Sequence, residues 1–158
     1  MPEQWPLHEL WIRSDPAQFR DARGWLERIT RRAGWTADES AELGLAFTEA
    51  SANIHRYAYG GRGDGMIELR LEIRGAAVRL CLTDFGNSID LAAYCEPDLS
   101  EPREGGYGLM IMRRLTDSLS YAQSATGNRT VMVKTVGEAA IDGAPAQNGK
   151  ASEMQHGE

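Results

Sequence analysis

The feature that most constrains the fold is a strict alternation of apolar and charged residues in the middle of the chain. Residues 66–74 read MIELRLEIR, and the alternation resumes over residues 77–83 after the pair Gly75-Ala76. A period of two places charged side chains on one face of a strand and apolar side chains on the other. A short glycine-containing break between two such runs predicts a β-hairpin. Other elements must therefore cover one apolar face of an antiparallel sheet.

Helices that can cover this face are predicted on both sides of the hairpin. Asp15 is followed by a proline and by apolar residues at helical spacing, so a first helix is expected to run to Gly34. Thr36 and Glu39 form a capping-box pattern in front of a second helix, predicted to extend to residue 59. A third helix is predicted over residues 107–116. The chain thus has enough amphipathic helix for a second layer.

Three further runs are predicted to be strands, at residues 7–14, 118–122 and 130–136. Strands with one charged and one apolar face, combined with amphipathic helices, predict a two-layer sandwich. The predicted fold class is α+β, with a mixed, mostly antiparallel sheet and the helices on one face.

Length and composition limit the class of protein. At 158 residues, 42% hydrophobic and 25% charged, the chain can bury its own core. We expect one domain over residues 1–137 and a disordered tail over residues 138–158, which are rich in Ala, Gly, Gln and acids. A net charge of −6 argues against direct nucleic-acid binding. Cys81 and Cys95 are predicted to be free thiols, and no signal peptide or membrane-spanning run is seen, so we expect a cytoplasmic protein.

Glu49 and Asn53 stand out within the second predicted helix. Four residues apart, their side chains lie roughly 40° apart on one helical face. The nearby residues are mostly apolar, and a carboxylate among them must be hydrogen-bonded, shifted in pKa or open to a ligand. Taken alone, the pair is better explained as a solvated Glu and a satisfied Asn, since polar residues on helices are usually only solvated.

Two glycine-containing segments follow in the chain. Asp84 and Gly86 come at the end of the hairpin. An Asp at this place can form hydrogen bonds with the polar edge of a flat heterocycle, and the Gly lets a ligand come close to the backbone. An ordinary turn also explains the two residues. Residues 104–109, EGGYGL, open the third predicted helix, whose unpaired N–H groups suit phosphate oxygens. A flexible loop explains the second segment as well as a phosphate site does.

Taken in order, these segments resemble the N, G1, G2 and G3 boxes of the GHKL ATPase superfamily. The matching residues are Glu49, Asn53, Asp84, Gly86, Gly106, Gly108, Leu109 and Thr130. Residues 47–59 and 104–117 look like the bacterial anti-sigma factor serine kinases, and the resemblance covers about residues 7–136. It implies a Bergerat-type ATP-binding fold with ATP and Mg²⁺ as cofactors.

The resemblance also implies a role for each matching residue. Asn53 would bind Mg²⁺, and Glu49 would act as the general base toward an incoming hydroxyl. Asp84 would accept a hydrogen bond from the adenine amino group, and Gly86 would let the base lie close to the backbone. Thr130 would support Asp84 through its hydroxyl.

The phosphates would be held at the start of the third helix. The amides around Gly106 and Gly108, followed by Leu109, would contact them. Arg103 is a candidate contact to the γ-phosphate, with a solvated arginine as the alternative. One position departs from the family pattern, since Ser88 stands where a G1 box often has its second glycine.

The implied function is an ATP-dependent serine/threonine protein kinase that acts as an anti-sigma factor. Such a protein binds a sigma factor and phosphorylates a serine of a STAS-domain antagonist, often as a homodimer. Arg20 and Arg23, on the first helix, are candidate contacts to an acidic partner surface, and a solvated basic face is the alternative. No direct contact with nucleic acid or membrane is expected.

Two other functions are alternatives to this one. A binding module could use ATP only to set partner affinity and transfer nothing, but the presence of Glu49 favours a kinase. A histidine-kinase catalytic domain would need a phosphoacceptor histidine on an upstream helical hairpin, whereas His8 falls in a predicted strand.

Overall fold

The computed structural model describes residues 4–88 and 107–137. In this part of the chain the elements are β1 (Leu7–Arg13), α1 (Pro16–Arg32), α2 (Ala37–Asn53), β2 (Met66–Arg74), β3 (Ala77–Asp84), α3 (Gly108–Leu115), β4 (Ser118–Ser124) and β5 (Gly127–Thr135). A π-helical segment (Ile54–Ala58) continues α2. Outside these two ranges lie Cys95, Arg103, Gly106 and the predicted tail.

The five strands form one sheet in the order β1-β2-β3-β5-β4. The predicted hairpin is β2-β3, which pairs Arg74 with Ala77 across its turn. All four pairings in the described residues are antiparallel, where a mixed sheet was predicted. The α+β sandwich with its helices on one face is confirmed.

The core lies between the sheet and the helices. Leu69, Leu71, Leu80 and Leu82 alternate along β2 and β3 and are fully buried. They pack with apolar residues of α1, α2 and α3 in one cluster. Burying each such side chain contributes about 2 kcal/mol before entropy is counted, so the alternation seen in the sequence largely sets which face the helices cover.

The start of α2 is fixed by the predicted capping box. Thr36 Oγ1 accepts a hydrogen bond from the Glu39 amide at 3.1 Å, and Glu39 Oε1 accepts one from the Thr36 amide at 2.8 Å. A cap of this kind stabilises a helix by about 1 kcal/mol. The cap sets where along the chain the helix that carries Glu49 begins.

Two element boundaries differ from prediction. The second helix is not α-helical to its end, because its last turn is π-helical and the Tyr59 amide donates to the Ile54 carbonyl at 3.0 Å. The last strand begins at Gly127 rather than at residue 130, since the β4–β5 hairpin pairs Ser124 with Gly127. Asn128, which precedes the predicted start of the last strand, is therefore in β5 and directly opposite Asp84.

None of the helices in the described ranges is both long enough and apolar enough to cross a membrane.

Candidate active site

Glu49 and Asn53 lie one turn apart near the end of α2, and both are partly buried. Neither side chain forms a hydrogen bond or ion pair with another residue in the described part of the chain. Within these ranges the partly buried carboxylate and amide are therefore open to a ligand.

Gly108, the first residue of α3, lies against this face of α2. A Cβ built on Gly108 would be 2.8 Å from Glu49 Oε1 and 3.7 Å from Asn53 Oδ1. The first amides of a helix lack helical partners and carry partial positive charge. The fold therefore brings a carboxylate, a side-chain amide and a helix N-terminus to one place.

A narrow cleft of about 30 Å³ opens beside Asn53, between α2, α3 and the last two strands. It is lined by Ala50, Asn53, Ile54, Leu109, Met112, Leu119, Tyr121 and Thr130. Three of the predicted site residues, Asn53, Leu109 and Thr130, thus line the same cleft. The cleft has about the volume of one water molecule, so it can hold only an edge of a nucleotide.

Asp84, at the end of β3, is fully buried. Its Oδ1 accepts hydrogen bonds from Asn128 Nδ2 at 2.8 Å and from the Gly86 amide at 3.1 Å. Its Oδ2 is buried and has no hydrogen-bond partner among residues 4–88 and 107–137. A buried acceptor without a hydrogen-bond donor destabilises the folded protein unless a ligand donates to it. The exocyclic amino group of adenine is such a donor.

Burial raises the pKa of Asp84 above its usual value, and the hydrogen bonds from Asn128 and Gly86 oppose that shift. Burial thus disfavours the charged carboxylate, and these two donors favour it. A ligand donor at Oδ2 would act in the same direction.

Gly86 is required by packing against the end of the π-helical segment. A Cβ there would lie 2.2 Å from the Ala58 carbonyl oxygen, which also accepts a hydrogen bond from the Asn87 amide at 2.8 Å. Tyr59 fixes the same loop, because its hydroxyl donates to the Met66 carbonyl at 2.6 Å and accepts from the Phe85 amide at 2.8 Å. Direct approach of a base to Gly86 stays a prediction.

No role in the site was predicted for Asn128, yet it is the side chain that donates to Asp84. That support was expected from Thr130, which lies two residues further along β5, opposite Leu82, on the wall of the cleft. The alternating pattern could have revealed Asn128 if the last strand had been extended back by two residues. Tyr59, which holds the neighbouring loop, was likewise missed.

The profile of the histidine kinase-like ATPase domain matches residues 12–134. The chain belongs to this family. Among characterised relatives of the ATPase domain, the serine-protein kinase RsbW of Bacillus velezensis is 27% identical over 142 residues, which is 85% of this chain and 88% of that protein. The serine/threonine-protein kinase BtrW of Bordetella bronchiseptica is 33% identical over 105 residues, or 64% of this chain and 74% of the relative.

Solved structures agree on the fold of the ATPase domain. A structure of RsbU and RsbW domains from Mycobacterium tuberculosis superposes with a TM-score of 0.59 at 18% identity. The match covers 82% of this chain and 32% of that one. The family and the fold expected from the sequence are confirmed.

The two arginines predicted to contact a partner differ in their surroundings. Arg20 is exposed on α1. Arg23 is 36% exposed and forms an ion pair with Glu27 at 2.9 Å, across Gly44 of α2. A Cβ on Gly44 would lie 2.8 Å from Arg23 Nε, so this pair fills the contact between α1 and α2. In the ATPase domain Arg23 has a packing role and Arg20 is the more accessible cation.

Proposed function

We propose that this histidine kinase-like ATPase domain is an ATP-dependent serine/threonine protein kinase that acts as an anti-sigma factor. It binds a sigma factor and phosphorylates a serine of a STAS-domain antagonist. The observation that carries the proposal is the convergence of Glu49, Asn53 and Gly108 at the contact of α2 with α3. The serine-protein kinases that match 85% of this chain support the activity.

The nucleotide would span the two clusters of site residues. Asp84 Oδ2 is the acceptor for the adenine amino group, and Leu109 and Thr130 line the cleft beside the base. The amide of Gly108 would contact the phosphates, and we assign Arg103 and Gly106 to the same phosphate site. Asn53 would hold Mg²⁺, an ion that neutralises charge on the phosphates.

Glu49 is the proposed general base. Its carboxylate accepts the proton of the serine hydroxyl while the serine oxygen bonds to the γ-phosphorus. The bond from the γ-phosphorus to its bridging oxygen breaks, and ADP leaves with that electron pair. The absence of a hydrogen-bond or ion-pair partner for Glu49 within the described residues leaves the carboxylate available for this step.

The exposed face of α1 is the proposed partner surface. Five arginines lie on this helix, Arg20, Arg23, Arg28, Arg31 and Arg32, against the acids Asp21 and Glu27. Such a face favours an acidic partner surface and speeds its association. We assign the direct contact to Arg20 and an edge contact to Arg23. The proposed setting is the cytoplasm, where ATP and the sigma factor are present.

A nucleotide-gated binding module is the second candidate. The bare oxygen of Asp84 supports nucleotide binding whether or not a phosphoryl group moves. The two functions separate when the protein is mixed with Mg-ATP and a cognate STAS-domain antagonist, and serine phosphorylation is followed by mass spectrometry. Phosphorylated serine is expected. A protein that binds both ATP and the antagonist but leaves the serine unmodified would instead be a binding module.

A further inference from the structure

Asn128 ties together the end of β3 and the loop that follows it. It is 4% exposed, and its Nδ2 donates to Asp84 Oδ1 at 2.8 Å, to the Gly86 carbonyl at 3.1 Å and to the Asn87 carbonyl at 3.4 Å. Its Oδ1 accepts from Ser88 Oγ at 3.3 Å. Because Nδ2 faces three acceptor oxygens, the opposite orientation of the amide would set oxygen against oxygen.

This arrangement makes the two oxygens of Asp84 unequal. Oδ1 accepts from the two donors Asn128 Nδ2 and Gly86 N, while Oδ2 is buried and no donor in the described part of the chain reaches it. The Asn128 contact is a charge-assisted hydrogen bond between side chains that face each other in the β3–β5 ladder. Without it, the carboxylate could turn toward whichever donors remain.

We propose that Asn128 is a positioning residue that fixes which oxygen of Asp84 faces the base, and so sets the selectivity of the site for a base with an exocyclic amino donor over one with an oxo acceptor. This inference rests on the proposed function insofar as the ligand is a purine nucleotide. Asn128 itself acts through Asp84. Ser88, the residue that departs from the family pattern, supports Asn128 by its hydrogen bond.

The charge of Asp84 depends on the same contact. Burial raises the pKa of Asp84, and the hydrogen bond from Asn128 is the first of the two contacts that lower it. Tyr59, just after the π-helical segment, interacts electrostatically with Asp84. Burial raises the pKa of Tyr59 as well, so its hydroxyl stays neutral. Removing the Asn128 donor would raise the pKa of Asp84 further, and Asp84 would become protonated at a higher pH.

The proposal also predicts what an amide at position 84 would do. In Asp84→Asn the donors of Asn128 and Gly86 would hold the new amide oxygen in the place of Oδ1. The NH₂ group would then stand where Oδ2 stands now. The site would present a donor to the base, so the preference should reverse from ATP toward ITP, whose six-position is an oxo group.

The test is calorimetric binding of ATP and ITP at several pH values. Asn128→Leu keeps the approximate volume and removes the donor, Asn128→Ser keeps a shorter donor, and Arg79→Gln on the outer face of the sheet is the matched control.

Because a hydrogen bond to a charged group contributes more than one between neutral groups, we expect about a 10-fold or greater loss of ATP affinity in Asn128→Leu. We also expect an ATP-to-ITP ratio closer to one and a pH profile for ATP binding that moves to higher pH. Asn128→Ser should recover part of each change, and Arg79→Gln should match the wild type.

The outcomes separate the inference from the proposed function. If Asn128→Leu is folded by circular dichroism but keeps the wild-type ATP-to-ITP ratio and pH profile, the positioning role is overturned, even when both affinities fall together. If the wild type binds no ATP, the proposed function and the inference fail together. If the wild type binds ATP and the Asn128 variants bind it identically, only the inference fails.

Discussion

Gly108 and Glu49 are so close that a methyl group on Gly108 would lie 2.8 Å from Glu49 Oε1. The atom in the way is the far end of a flexible side chain, so Gly108→Ala should be accommodated by rotation of Glu49. Stability should then change by less than about 1 kcal/mol, because alanine favours the helix. A catalytic group displaced by about 1 Å can lower the rate by about 100-fold, so phosphoryl transfer should fall by about that factor. Thermal melts and transfer rates check both expectations, and a variant with the wild-type rate would refute the role of this contact.

Gly86 makes a closer contact of a different kind. Its added Cβ would meet the Ala58 carbonyl oxygen at 2.2 Å, and backbone cannot rotate away. Gly86→Ala should therefore destabilise the protein by about 2 kcal/mol, as overpacking does. Gly63→Ala is the matched control, because its Cβ would have no neighbour closer than 3.6 Å. Urea denaturation of the two variants decides the point, and equal stabilities would contradict the packing explanation.

We expect the stability of the folded protein to depend on pH through the buried carboxyl group of Asp84. Since burial raises its pKa in the folded state, its stabilising contribution is fully present below its usual pKa and is lost as the pH rises through the folded value. The Asp84→Asn variant has no carboxyl group to ionise, so it does not lose stability in this way, and it can keep both hydrogen bonds at Oδ1. The variant should gain stability relative to the wild type as the pH rises above the usual pKa of an aspartate, as measured by urea unfolding, while ATP affinity falls. A relative loss over that range would show that Asp84 is not penalised by burial.

Arg20 and Arg23 should separate partner binding from packing. Arg20→Ala should leave the melting temperature unchanged and weaken binding to an acidic partner, more so at low salt. Arg23→Ala should cost up to about 1 kcal/mol, because a half-exposed ion pair contributes little and the alkyl chain packs across Gly44. Titrations of the cognate sigma factor at two salt concentrations, with Arg62→Ala as the control, test both arginines. Unchanged affinity for Arg20→Ala at low salt would remove Arg20 from the partner surface.

The parts of the fold that local sequence determines were predictable. The hairpin of β2 and β3 follows from alternation, the start of α2 follows from Thr36 and Glu39, and the shared face of Glu49 and Asn53 follows from helical spacing. Each depends on residues close together in the chain.

What the sequence did not reveal depends on distant contacts. Asn128 faces Asp84 only because the β4–β5 hairpin closes between Ser124 and Gly127 and because β5 pairs with β3 in one register. The glycine at position 86 suggested approach by a ligand, whereas its tightest contact is with the Ala58 carbonyl. The π-helical turn before Tyr59 was also hidden, since a change from α to π hydrogen bonding leaves the apolar pattern of the helix almost intact.

The division of labour between Glu49 and Asn53 is tested most directly by measuring ATP affinity and serine phosphorylation in the same preparations. Glu49→Gln keeps the size of the side chain and removes the proton acceptor. It should bind Mg-ATP within about threefold of the wild type and phosphorylate the cognate STAS-domain antagonist at least about 100-fold more slowly, the usual contribution of a general base. Asn53→Ala should lose both binding and transfer. A Glu49→Gln protein that phosphorylates the antagonist at the wild-type rate would contradict the assignment of Glu49 as the catalytic base.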